Sequence, residues 1–109
     1  MNYKKLELKL REMVERRLEE GFFFQPAHAS IDRRGAMCLI GAIGLERATP
    51  LDEEGFVNIF GVRGAAEDLI ADDDIYMALE CGFEGFKSCS NTPAYAIGAR
   101  IRRDYCEWE

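Results

Sequence analysis

A strongly apolar stretch, AMCLIGAIGL, occupies residues 36–45 and contains no charged side chain. A run of this kind is compatible with a buried strand, but its length and its alanine and glycine content favour a buried helix. Gly41, Ala42 and Gly44 lack bulk, so another helix can approach the backbone closely here. Pro50 breaks the segment. The sequence therefore predicts a buried helix over residues 36–45.

On the N-terminal side, the pattern predicts an amphipathic helix over about residues 3–20. Lys, Arg and Glu fill its polar faces, and Gly21 is a typical C-terminal stop. Its apolar face has helical spacing and consists of Leu6, Leu10, Met13, Val14 and Leu18.

Three aromatic residues, Phe22, Phe23 and Phe24, follow that helix. Three adjacent side chains cannot all point the same way in a helix or a strand. We therefore expect at least one of them to anchor the first helix to the rest of the domain, and another to stay available for a partner.

Helix signals continue after Pro50. A short helix is predicted behind Asp52, and residues 62–70 carry an uninterrupted helical face. Three aspartates at residues 72–74 supply a cap and negative charge for a further short helix. Gly82 and Gly85 predict a turn after it.

The last helix has the sharpest start signal in the chain. Asn91 or Thr92 is its cap, and Pro93 occupies its first turn. Ala94, Ile97, Ile101 and Tyr105 line one face of this helix.

The composition is that of one globular domain. The chain has 109 residues, 48% hydrophobic and 31% charged. No apolar run approaches the roughly 20 residues of a membrane span, and residues 1–20 lack the apolar part of a signal peptide. We predict a cytoplasmic all-α protein, a single domain over residues 1–109 that forms a compact orthogonal bundle of five to six helices. In a reducing cytosol its four cysteines are expected to be free thiols.

The net charge of -6 is concentrated in the middle of the chain. Residues 37–90 carry three Lys/Arg against eleven Asp/Glu, whereas residues 1–36 carry eight against six. Residues 62–81 have the outline of a helix-turn-helix, but the second helix carries Asp74 and Glu80 and no Lys or Arg. Such a helix would meet the phosphates of DNA with the wrong sign, so nucleic-acid binding is disfavoured.

No set of residues indicates a metal or cofactor site. His28 and the cysteines lack the closely spaced ligand pairs of zinc sites, and the three aspartates lack the pattern of a calcium loop. Cys38 would lie near a helix N-terminus, which lowers a thiol pKa, but its apolar neighbours predict burial. We therefore predict no metal and no cofactor, and name no catalytic residue.

Three functions remain open. The leading hypothesis is a non-enzymatic protein-interaction or regulatory protein that binds another protein or a second copy of itself. Its candidate interaction surface comprises Phe22, Phe23, Arg100, Arg103 and Trp108, whose arginines would meet the acidic middle of another copy. One alternative is a small enzyme or small-molecule-binding protein with a cleft near Cys38, His28, Arg33 and Arg34. The other is an acidic decoy for a nucleic-acid-binding protein.

Two segments resemble small uncharacterised bacterial and phage proteins. The first runs from Gly35 to Ile43 and contains C-x-x-G-A at residues 38–42. The second, residues 78–85, contains G-F-x-G, and the final helix at residues 95–103 follows it. The resemblance implies a bacterial or phage origin and a compact helical fold, and it brings no activity, cofactor or catalytic residue with it.

Overall fold

Most of the described chain is helical. The structure, a computed structural model, describes residues 2–26, 35–46, 64–67, 69–86 and 92–106. Helices make up 72% of these residues, and two short strands form one sheet. The predicted helical character is therefore confirmed. The small sheet was not predicted.

Helix α1 spans Tyr3–Glu19, close to the predicted range. The Asn2 side chain caps its start by accepting a hydrogen bond from the Lys5 backbone amide at 3.1 Å. Gly21 follows its end with φ +97°, a conformation that glycine adopts without strain. Leu10 and Val14 are fully buried, and Leu6 and Met13 pack against the core, so most of the predicted apolar face is confirmed. Leu18, the last residue of that face, is 37% exposed, so the prediction is wrong for this residue.

The apolar stretch divides into a strand and a helix. Strand β1, Phe23–Phe24, pairs in parallel with strand β2, Ala36–Met37. Cys38 then caps helix α2, Leu39–Gly44. The prediction of one helix from residue 36 is therefore wrong for its first residues, because their backbone pairs with β1. Phe24 also forms a parallel bridge with Cys106, which places β1 in the middle of this arrangement.

Helix α3 spans Asp73–Glu84. Its cap is Asp72, whose carboxylate accepts hydrogen bonds from two backbone amides of the first turn. The helix ends at Gly85, which has φ +83°, and the next amide donates to the Cys81 carbonyl at 2.9 Å. The predicted turn at Gly82 is wrong, since that residue lies inside the helix.

Helix α4 spans Pro93–Tyr105, as its start signal predicts. The Thr92 hydroxyl accepts a hydrogen bond from the Tyr95 amide at 3.2 Å. Gly82 of α3 and Gly98 of α4 bring the two helices into backbone contact. A Cβ atom at Gly82 would overlap the Tyr95 carbonyl, and one at Gly98 would overlap the carbonyl of Leu79. The need for close approach explains glycine inside both helices.

The core lies between these helices and the small sheet. Its largest fully buried side chains are Phe24, Phe83, Leu10, Met37, Leu39, Ile40, Ile43, Leu79, Ile97, Ile101 and Val14. A short helical segment at residues 64–67 and 69 adds the buried Ala66, and the helix predicted behind Asp52 lies outside the described residues. None of the helices in the described ranges has the length and apolarity needed to cross a membrane.

Candidate interaction surface

A network of charged side chains joins α1 to α4. The Glu7 carboxylate accepts hydrogen bonds from Arg11 at 3.0 Å and from the Nε of Arg100 at 3.2 Å. Arg11 also pairs with Asp104 at 2.8 Å and lies over the Tyr105 ring, 5.6 Å from its centroid. Glu7 and Arg11 are mostly buried by these contacts, so the network fixes how the two helices face each other.

Glu7 should make the stability of the protein sensitive to acid. The hydrogen bond from Arg100 and then that from Arg11 hold the Glu7 pKa below its ordinary value of 4.5. A carboxyl group whose pKa is lower in the folded than in the unfolded protein stabilises the folded state. This stabilisation is complete when the pH is above the unfolded-state pKa, and it is lost as the pH falls through the folded-state pKa. We expect Glu7→Gln to lower the free energy of unfolding by about 1 kcal/mol at pH 7. The difference from wild type should shrink below pH 4.5, as followed by urea denaturation.

The matched control for this prediction is Glu19→Gln, the same change at an exposed position of α1. It should alter stability by less than about 0.5 kcal/mol at either pH. A Glu7→Gln difference that is equally large at pH 3 and pH 7 would show that the carboxylate charge is not the stabilising feature.

Beside the network, α1 exposes an apolar side chain in an open depression. Leu8 is 64% exposed, and it lines a depression of about 270 Å³ together with Lys4, Glu7 and Arg11. Lys4 and Glu7 also border a second depression, of about 160 Å³. The remaining residues of that second depression are Tyr3, Pro93, Ala96, Ile97 and Arg100. Together these residues form a continuous surface across the start of α1 and the first half of α4, which we call the α1 surface.

Sequence reasoning missed Leu8, although the signal was present. An α-helix turns by about 100° per residue, so Leu8 lies about 200° away from Leu6 and from Leu10. Those two leucines face the protein, and Leu8 therefore faces away from it. A leucine on the wrong side of an otherwise regular apolar pattern is the sequence feature that indicates this surface.

The predicted interaction residues within the described ranges belong to two parts of the fold, the start of the small sheet and helix α4. Arg100 is engaged with Glu7 of its own chain, and Arg103 is exposed but pairs with its neighbour Asp104 at 2.9 Å. Phe22 and Phe23 are half-buried at the start of the small sheet. The last predicted member, Trp108, lies outside the described residues.

Cys38 does not have the environment of a reactive thiol. It lies at the N-terminus of α2 and is buried, both as expected, with 4% of its surface exposed, and burial raises its pKa to about 11. Burial also raises the pKa of Cys106 to about 12. Thiols of this kind stay protonated at neutral pH, and the thiolate is the nucleophile. The side chains of Cys38, Cys81 and Cys106 are all buried.

The other residues of the alternative cleft, His28, Arg33 and Arg34, lie outside the described residues, as does Cys89. Within the ranges that the structure describes, no three side chains of His, Cys, Asp or Glu are grouped to hold a metal ion.

The acidic residues of α3 form a second exposed surface. Asp72 is committed to capping the helix, whereas Asp73 and Asp74 point into solvent. Met77, one turn further along, is 51% exposed. We call Asp73, Asp74 and Met77 the α3 surface.

Comparison of the chain with protein-family models, with curated proteins and with solved structures found no match.

Proposed function

We propose that this chain is a non-enzymatic protein-interaction or regulatory protein, and that it binds its partner through the α1 surface. The observation that carries the proposal is the exposed Leu8 in a depression bordered by Lys4 and Arg11. Lysine and arginine side chains combine an apolar stem with a charged end, so they extend the apolar contact and supply charge at its edge. A partner suited to this surface has an exposed apolar side chain flanked by carboxylates.

The arrangement of the neighbouring residues supports a binding role for this surface. Glu7 and Arg11 are held by the network that joins α1 to α4, so the floor of the depression is fixed before a partner arrives. A surface that is already ordered loses less conformational entropy on binding. Its apolar centre and charged edge also match the general organisation of protein interfaces.

The two alternative functions have less support from the described residues. A thiol enzyme would need an accessible Cys38, and this side chain is buried with a raised pKa. An acidic decoy would need carboxylates spread along a phosphate-like path, and among the described residues three of the exposed carboxylates of the acidic middle, at residues 72–74, cluster at the start of α3, with Glu67 the fourth. Both alternatives stay predictions.

The finer features expected from the sequence remain part of this proposal. These are an orthogonal bundle of five to six helices, a cytoplasmic location, and association with another protein or with a second copy of the chain.

Site-specific photocrosslinking tests the proposed function. A photoreactive amino acid replaces Leu8, and the protein is produced in its natural host cells and irradiated. We expect a discrete crosslinked species, because the side chain at this position would be covered by the partner. Mass spectrometry of the adduct identifies what was bound, whether another protein or the chain itself.

The matched control places the same photoreactive group at Glu19, which is exposed near the other end of α1. No discrete adduct is expected there. The absence of an adduct at position 8, or the same set of adducts at positions 8 and 19, would contradict binding through the α1 surface.

A further inference from the structure

The α1 surface and the turn of α1 beside it carry positive charge that no other described residue neutralises. Lys4, Lys5 and Lys9 are exposed around Leu8, and none of them forms an ion pair with another described residue. The arginines nearby differ in this respect, because Arg11 and Arg100 are paired with carboxylates of the same chain. The available positive charge is therefore that of the lysines at the start of α1.

The α3 surface has the opposite sign and the same spacing. In α1, Lys4 and Lys5 precede the exposed Leu8 by four and three positions; in α3, Asp73 and Asp74 precede the exposed Met77 by the same intervals. Residues three and four positions apart share one face of a helix. Each surface therefore presents two like charges one turn before an apolar side chain.

α1 and α3 pack on other helices of the chain and make few contacts with each other. α1 packs on α2 and α4, whereas α3 packs chiefly on α4. The side chains that the two surfaces would bring together are exposed and lie outside these contacts: Lys4, Lys5, Leu8, Asp73, Asp74 and Met77. Each copy of the chain offers both halves of a complementary pair.

We propose that the α1 surface of one copy docks on the α3 surface of a second copy. The two helices lie side by side in the same direction, which sets Lys4 and Lys5 beside Asp73 and Asp74 and packs Leu8 against Met77. This inference rests on the proposed function and identifies the partner as the chain itself. The net charge of -6 opposes association in general, so docking depends on this local match of opposite charges. In a two-fold symmetric pair the contact forms twice.

Reversing the charges of each surface in turn tests the proposal, with self-association measured by sedimentation velocity. The protein concentration extends to about 1 mM, because a small interface gives weak affinity. One variant carries Lys4→Glu and Lys5→Glu, and the other carries Asp73→Lys and Asp74→Lys. We expect wild type to self-associate, and each variant alone to do so about tenfold more weakly or not at all. An equimolar mixture of the two variants should associate again, because glutamates on α1 then meet lysines on α3, and lysines on α1 meet aspartates on α3.

The aspartate variant separates specific docking from general charge repulsion. Its substitutions bring the chain closer to neutrality, so general repulsion predicts stronger self-association, whereas the proposal predicts weaker self-association. A wild type that stays monomeric at every concentration would overturn the proposal. So would variants that associate as wild type does, or a mixture that fails to associate.

Folding is checked by far-UV circular dichroism of each variant. Glutamates at the start of α1 interact favourably with the helix dipole, and the aspartate variant keeps its Asp72 cap. If the aspartate variant loses helical signal, Met77→Gln replaces it and should weaken association without reversing any charge. A monomeric wild type that still crosslinks to another protein from position 8 would overturn self-association and leave the proposed function standing.

Discussion

Replacing Gly98 with alanine should lower the free energy of unfolding by about 3 kcal/mol. The new Cβ would overlap the Leu79 carbonyl oxygen and lie 2.9 Å from the Phe83 amide nitrogen. Both atoms belong to the backbone of α3, so no side chain can rotate away and the two helices must separate. Gly82→Ala should act similarly, since its Cβ would overlap the Tyr95 carbonyl and lie 3.1 Å from the Ala99 amide nitrogen.

The matched control for this prediction is Gly64→Ala. Gly64 also lies in a helical segment, but an added Cβ there meets no atom of the described residues within 4 Å. Alanine is the better helix former, so this variant should be unchanged or more stable by up to about 1 kcal/mol. Urea denaturation of the three variants measures the difference as a shift of the midpoint. A Gly98→Ala protein as stable as Gly64→Ala would contradict close packing between α3 and α4.

The features that the sequence predicted well depend on residues close together in the chain. Asp72 and Thr92 cap helices through bonds to amides two or three residues away. Such signals survive in almost any tertiary context because both partners lie in the same turn. For this reason the starts of α3 and α4 were predictable without knowledge of the fold.

The errors involve partners that are distant in the chain. Ala36 and Met37 leave the predicted helix because they pair with Phe23 and Phe24, and no local pattern contains that pairing. Gly82 has the local signature of a turn and becomes helical only through its contact with α4. In both cases a tertiary contact determines the conformation that local propensity leaves open.

The candidate interaction surface was predictable in part. Arg100 was expected to meet a partner; it borders the α1 surface and also binds Glu7, which is 93 residues away in the sequence. Composition and charge runs do not indicate which charges the protein neutralises internally. The position of Leu8 outside the apolar pattern of α1 does indicate an exposed leucine, so that part of the surface lies within reach of sequence reasoning.

Phe24→Ala should be the most damaging truncation among the three adjacent phenylalanines, with a loss of about 4 kcal/mol in the free energy of unfolding. Phe24 is 0% exposed, and its backbone pairs with Met37 on one side and with Cys106 on the other. Removal of the ring therefore leaves a cavity, because the paired backbone on both sides cannot move in to close it.

Phe22→Ala and Phe23→Ala are the matched controls, because both side chains are half-buried and solvent can fill the space they leave. These variants should lose about 1 to 2 kcal/mol. Urea denaturation of all three ranks the positions, and Phe24→Leu should recover more than half of the lost stability if packing volume is the cause. Equal losses at the three positions would contradict the conclusion that Phe24 alone of the three packs fully in the core.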